Sequence, residues 1–110
     1  VLFSSVVIKK GMPFHSLVAA SKGAIEGFVK NMAVEYAPKI RFNCIAPSLT
    51  NTPLAKSITS NPKMLETSIS KHPLKRIGEP EDIGKLVSYL LLEDSFMTGQ
   101  IFHTDGGMSV

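Results

Sequence analysis

Three short apolar runs, separated by stretches with helical periodicity, constrain this chain more than any other feature. The runs are "VLFSSVVI" (1–8), "IRFNCIA" (40–46) and the apolar middle of "TGQIFHTDGG" (98–107). The first is nearly continuous, which suits a strand covered on both faces in a parallel sheet. Gly11 and Pro13 then break the chain. From about Ser16 to Ala37, Ile25, Phe28, Val29, Met32, Ala33 and Tyr36 recur at three- and four-residue steps and make one apolar helical stripe. Glu26 and Lys30 form an i,i+4 pair on another face, and Pro38 closes the helix. Ala20, Gly23, Ala24 and Gly27 form a second ridge of small residues. Glycine within a helix costs about 0.5–1 kcal/mol relative to alanine, so the ridge predicts close approach by a neighbouring helix or another subunit.

The segment "PSLTNTPLAKSITSNPKM" predicts a loop grading into one or two short helices near residues 53 to 70. "GEPEDIGKLVSYLLLED" predicts a helix with Pro80 in its first turn. Glu79, Glu81 and Asp82 lie at the positive end of its dipole, and Ile83, Leu86, Val87, Leu90 and Leu91 form its buried stripe. The order strand, helix, strand, helices, strand implies parallel strands joined by helical crossovers, an α/β layered fold. Sheets usually have about 4–6 strands. Three strands, with a first residue already inside an apolar run, lead to the expectation that residues 1–110 are one part of a longer domain. The first strand is then expected to have an unpaired edge, and self-association is expected.

At 44% hydrophobic and 19% charged residues, the chain is of ordinary globular type rather than disordered. No run reaches the ~18–20 apolar residues of a membrane span, and no secretory signal pattern is visible. Cys44 is the single cysteine and lies in an apolar run, so a buried structural thiol in a reducing, cytoplasmic setting is expected. The net charge of +3 comes from scattered lysines and arginines. The densest cluster, "KHPLKRIG" (71–78), lacks interleaved aromatics and predicts a solvated loop, not a nucleic-acid surface. His15, His72 and His103 have no metal-ligand spacing, and neither His72 nor His103 is assigned a role.

Four pieces stand in order: "SS" at 4–5, "VAASKGA" at 18–24, "NCIAPSLTNT" at 43–52 and "TGQIFHTDGG" at 98–107. Together they resemble the C-terminal half of the short-chain dehydrogenase/reductase family, in particular its 3-oxoacyl-acyl-carrier-protein reductase-like members. The resemblance implies the C-terminal half of a Rossmann-like, doubly wound parallel sheet, NAD or NADP as cofactor, a carbonyl or alcohol substrate, and a homo-oligomer. In that family a serine ends a strand thirteen residues before a Tyr-x-x-x-Lys pair. Ser5 matches that serine and Lys22 the lysine, while the tyrosine position is Val18. Pro47, Ser48, Thr50 and Thr52 match the nicotinamide loop, with Ser48 where glycine is usual. The glycine-rich pyrophosphate turn of the family does not occur in this sequence.

The chemistry explains why the missing tyrosine matters. Hydride delivery to a carbonyl builds negative charge on oxygen, and a positioned donor must supply a proton. A tyrosine has a reference pKa of about 10 and needs the lysine one turn away to lower it. Residues at i and i+4 share a helix face, which is why the pair has that spacing. Valine has no proton to give. His15, three residues earlier, is the substitute acid the sequence offers, although its place after Pro13 also suits a solvated or capping residue. The expectation is therefore an altered oxidoreductase, with a non-catalytic relative that keeps the fold for nucleotide binding or assembly as the alternative.

Overall fold

A computed structural model of the chain describes residues 1–110. Three parallel strands, β1 (Leu2–Phe3), β2 (Cys44–Pro47) and β3 (Ile101–Thr104), lie in the order β1-β2-β3. The crossovers are α1 (Ser16–Glu35) between β1 and β2, and α2 (Lys56–Thr59), α3 (Pro62–Ser70) and α4 (Pro80–Leu92) between β2 and β3. The predicted α/β order therefore holds. β2 is central and its Cys44, Ile45 and Ala46 are wholly buried, as a strand with neighbours on both sides requires.

The first apolar run departs from the single strand predicted for it. Only Leu2 and Phe3 pair with β2, and Val6–Ile8 forms a 3-10 turn. Ser5 is extended and its side chain accepts from the Val7 amide, which turns the chain out of the strand. Val6 and Val7 still find an apolar environment, against Met108 from the chain's last turn. β1 is an edge strand, bonded only to β2.

α1 begins and ends within two residues of the predicted bounds, but its buried stripe is narrower than predicted. Val29 and Ala33 are buried, whereas Phe28 and Tyr36 are about half exposed and flank Phe42, with ring centroids 6.5 and 5.8 Å from it. Of the small-residue ridge, Ala20, Ala24 and Gly27 face solvent, and nothing lies within 4 Å of where a Gly27 Cβ would be. In α4, Leu90 is buried but Leu91 is exposed, so the stripe there is also one residue narrower. The core is correspondingly thin. The radius of gyration is 14.8 Å, against about 13 Å for a compact chain of this size.

Two polar devices shape the C-terminal region. The buried Asn43 donates to the Met97 carbonyl at 2.8 Å and accepts from the Gln100 amide at 3.1 Å, which places the loop entering β3. After β3, the buried Asp105 carboxylate accepts from the amides of Gly107 (2.9 Å) and Ser109 (3.1 Å). Gly106 and Gly107 have φ of +57° and +85°, a conformation open to glycine, and the resulting turn brings Met108 back onto Val6 and Val7.

Candidate functional site

In a parallel sheet, ligands bind in the crevice outside the carboxyl ends of the strands. A cavity of about 510 Å³ lies there, where the segments leaving β1 and β2 meet the start of α1, within the size range of small-molecule sites. It gathers Ser5, His15, Val18, Pro47, Ser48, Thr50 and Thr52, seven of the eight positions singled out from sequence. Lys22 is the eighth and does not line it. Its Nζ donates to the Phe3 carbonyl at 3.1 Å, beside β1.

Each side chain has a definite hydrogen-bonding state. Ser5 Oγ accepts a long 3.4 Å bond from the Val7 amide, which leaves its hydroxyl proton free to donate into the cavity. Val18 is 43% exposed and contributes only methyl groups. His15 Nδ1 lies 2.7 Å from the Pro13 carbonyl; a carbonyl only accepts, so Nδ1 carries the proton. Thr50 Oγ1 donates to the Ser48 carbonyl at 3.1 Å, and Thr50 bridges to Gly78 in parallel fashion. A Cβ at Gly78 would sit 3.2 Å from Thr50 Oγ1, so glycine there lets the loop close on itself. Thr52 precedes the 3-10 turn Pro53–Ala55 without capping it, and its hydroxyl is left for the cavity.

His72, given no role from sequence, belongs to this site. It is 1% exposed, its Nδ1 lies 2.7 Å from the Ser68 carbonyl, and its Nε2 lies 2.8 Å from Ser48 Oγ. The predicted solvated loop at 71–78 is thus corrected at this residue, which is buried at the end of α3. Ser48 and His72 also line a second, polar cavity of about 340 Å³ bounded by Arg76, Asp82, His103 and Asp105. In that wall, Arg76 grips Asp82 with two nitrogens at 2.6 and 2.9 Å. These bonds, with one from the Glu79 amide, hold the Asp82 carboxyl at a pKa of about 2. Burial opposes ionisation of Asp105, but contacts with Ser109 and the Gly107 amide outweigh it and hold its pKa below the usual value. The Cys44 thiol is pushed up by burial and by the negative Glu26.

The cavity suits the nicotinamide half of a dinucleotide. It joins an apolar wall of Val6, Val7, Met12, Val18 and Leu49 to hydroxyls at Ser5 and Thr52. Such a lining accepts a flat heteroaromatic ring and the polar group it carries. No glycine-rich turn is present to hold a pyrophosphate.

Known proteins share this sequence pattern and fold. The family model described as enoyl-(acyl carrier protein) reductase matches residues 1–109. A tropinone reductase homolog of Datura stramonium is 43% identical over 104 residues, covering 90% of this chain and 39% of that protein. The 3-oxoacyl-acyl-carrier-protein reductase FabG of Chlamydia trachomatis is 40% identical over 108 residues, covering 96% of this chain and 43% of that protein. Among solved structures, 4-hydroxyisoleucine dehydrogenase complexed with NADH superposes with a TM-score of 0.91 at 33% identity, covering 97% of this chain and 45% of that one. The chain spans about two fifths of the length of the curated relatives it matches. With the parallel sheet, the Ser5–Lys22 spacing and the loop from Pro47 to Thr52 in place, the chain belongs to the short-chain dehydrogenase/reductase family.

Proposed function

We propose that these 110 residues supply the C-terminal half of an NAD- or NADP-dependent oxidoreductase acting on a carbonyl or alcohol. The observation that carries this reading is the convergence of Ser5, Val18 and the loop from Pro47 to Thr52 on one cavity at the carboxyl ends of the strands. A bound reduced nicotinamide supplies hydride there. The loop from Pro47 to Thr52 would hold the nicotinamide, and the apolar wall of the cavity would keep water from it. The Ser5 hydroxyl donates to the carbonyl oxygen and positions it. Lys22, on the same helix face one turn from Val18, would bind the nicotinamide ribose.

Val18 supports a second reading, in which the fold is retained for nucleotide binding or subunit assembly without turnover. The full-length protein distinguishes the two. Hydride transfer is measured with NADPH and NADH over a panel of 3-oxoacyl and small ketone substrates, for the native chain, Val18→Tyr and His15→Ala. Turnover by the native chain supports the oxidoreductase. Nucleotide binding without turnover, with activity appearing in Val18→Tyr, supports the non-catalytic reading. Absence of NADH and NADPH binding overturns the oxidoreductase and leaves subunit assembly as the retained role.

A further inference from the structure

We infer that His72 and Ser48 form a two-residue proton relay into the cavity, in the site from which Val18 removes the family's phenol. The inference rests on the oxidoreductase reading above and assigns the proton source that this reading lacks.

The geometry of the pair carries the argument. The Ser68 carbonyl can only accept, so the Nδ1 that faces it at 2.7 Å bears a proton in every state of the ring. Nε2 faces Ser48 Oγ at 2.8 Å, and a hydroxyl can both donate and accept. With one proton on the imidazole, the serine O–H turns to donate to Nε2. With two, Nε2–H donates to Ser48 Oγ and leaves the serine proton free to point into the cavity. Both states keep the two ring nitrogens hydrogen-bonded, to the Ser68 carbonyl and to Ser48 Oγ, without movement of a heavy atom, so a proton can pass along the pair. A group held by a third partner and bonded to a hydroxyl is also the general arrangement by which a histidine activates a serine.

Placement completes the case. Ser48 and His72 line the same 510 Å³ cavity as Ser5 and Val18, and both also line the polar 340 Å³ cavity. His72 therefore lies between the apolar space where charge would develop on oxygen and a polar space from which its proton can be replaced. The local backbone makes room for the ring. Gly106 is in the left-handed region, and a Cβ there would stand 3.4 Å from His72 Cδ2.

The step balances as one proton. Hydride addition leaves a lone pair and negative charge on the former carbonyl oxygen. That lone pair takes the Ser48 hydroxyl proton as the Oγ–H bond breaks, and Oγ takes the Nε2 proton of a doubly protonated His72. The imidazole is left neutral with Nδ1–H on the Ser68 carbonyl. Ser48 would touch substrate; His72 acts through it as a positioning residue and proton reservoir.

The test uses the full-length protein and the variants Ser48→Ala, Ser48→Thr, His72→Gln and Ser48→Ala with Val18→Tyr. Expected is a fall in kcat of at least tenfold for Ser48→Ala and for His72→Gln, with the Kd of His72→Gln for NADH or NADPH within twofold of native. Ser48→Thr, which keeps the hydroxyl, retains most of the turnover, and Val18→Tyr restores it to Ser48→Ala by supplying a phenol. Without any nucleotide, 15N-histidine NMR shows a proton on His72 Nδ1 and an Nε2 resonance that moves in Ser48→Ala. A His72 protonated on Nε2 alone overturns the relay whatever the activity. Native turnover left unchanged by Ser48→Ala and His72→Gln overturns the relay but not the oxidoreductase. Nucleotide binding without native turnover also removes the relay while sparing the nucleotide site, and absence of binding removes both.

Discussion

The Ser4 hydroxyl donates a 2.6 Å hydrogen bond to Glu26 Oε1, tying the end of β1 to the second turn beyond Val18 on α1. Ser4 is buried, whereas its neighbour Ser5 is half-buried and lines the cavity. The pair "SS" thus divides its labour, one serine joining helix to strand and the other facing the site. Replacing Ser4 by Ala leaves the Glu26 carboxylate short of a partner and is expected to cost about 1–3 kcal/mol of unfolding free energy. Ser5→Ala, which loses only a long bond, is expected to cost less than half as much. Urea unfolding of both variants checks this, and equal losses would contradict the division.

Cys44 follows from the same packing. It is fully buried in β2, and both burial and the negative Glu26 raise its thiol pKa. The thiolate is the reactive form. Native protein at pH 8 is therefore expected to resist iodoacetamide over a time in which urea-unfolded protein is fully alkylated, with intact-mass spectrometry as the readout.

The response to acid has a definite sign. Asp82 and Asp105 both have pKa values below the ordinary carboxylate range, Asp82 at about 2. A depressed folded-state pKa contributes stability that is present above the unfolded value of about 3.9 and is lost as pH falls through the folded value. The melting temperature is therefore expected to be insensitive to these two groups from pH 7 to about 5 and to fall below about 4. Asp82→Asn, which weakens the grip of Arg76 and the bond from the Glu79 amide, is expected to lower the melting temperature at pH 7 and flatten the acid limb. An unchanged acid limb in this variant would show that the carboxylate is not coupled to folding.

Much of the fold was legible because strand and helix periods differ and punctuation is strong. Pro38 follows α1 closely, Pro80 opens α4, and Asp105–Gly107 follows β3. The first run misled because apolar content alone does not separate a strand from a turn. Val6–Ile8 curls out of the strand after a serine whose hydroxyl accepts from the amide two residues on. Most of the site was legible through spacing along the chain. His72 was not, because it meets Ser48 across 24 residues and between two loops. The one available signal was a histidine before Pro73, in a chain that also carries serine in place of a loop glycine. Lys22 was legible as a position, but its bond to the Phe3 carbonyl depends on how α1 sits on β1.

The turn after β3 tests how far the site depends on its backing. A Cβ at Gly107 would stand 2.9 Å from Pro73 Cγ, closer than real Cβ atoms come, and Pro73 is a rigid ring next to His72. The left-handed backbone adds about 1–2 kcal/mol for any L side chain. Gly107→Ala is expected to lose more stability than Gly106→Ala, whose nearest neighbour is 3.4 Å away. Thermal melts of the two variants decide the order.

Arg41 offers the last test, because it closes the end of α4. Its guanidinium donates to the carbonyls of Leu90 (2.9 Å), Glu93 (3.1 Å) and Met97 (3.4 Å) and to Ser95 Oγ (2.9 Å). The last carbonyls of a helix have no partner within it, and a cation there also complements the helix dipole. Lysine carries the charge but has no planar fork of donors to span a helix end and the loop beyond it. Arg41→Lys is therefore expected to lose about 1–3 kcal/mol despite conserving charge, with Arg41→Ala only slightly worse. Hydrogen exchange should localise the loss to residues 90–99 and leave α1 protected. Recovery of native exchange in Arg41→Lys would show that charge alone, not the fork, secures this end of the molecule.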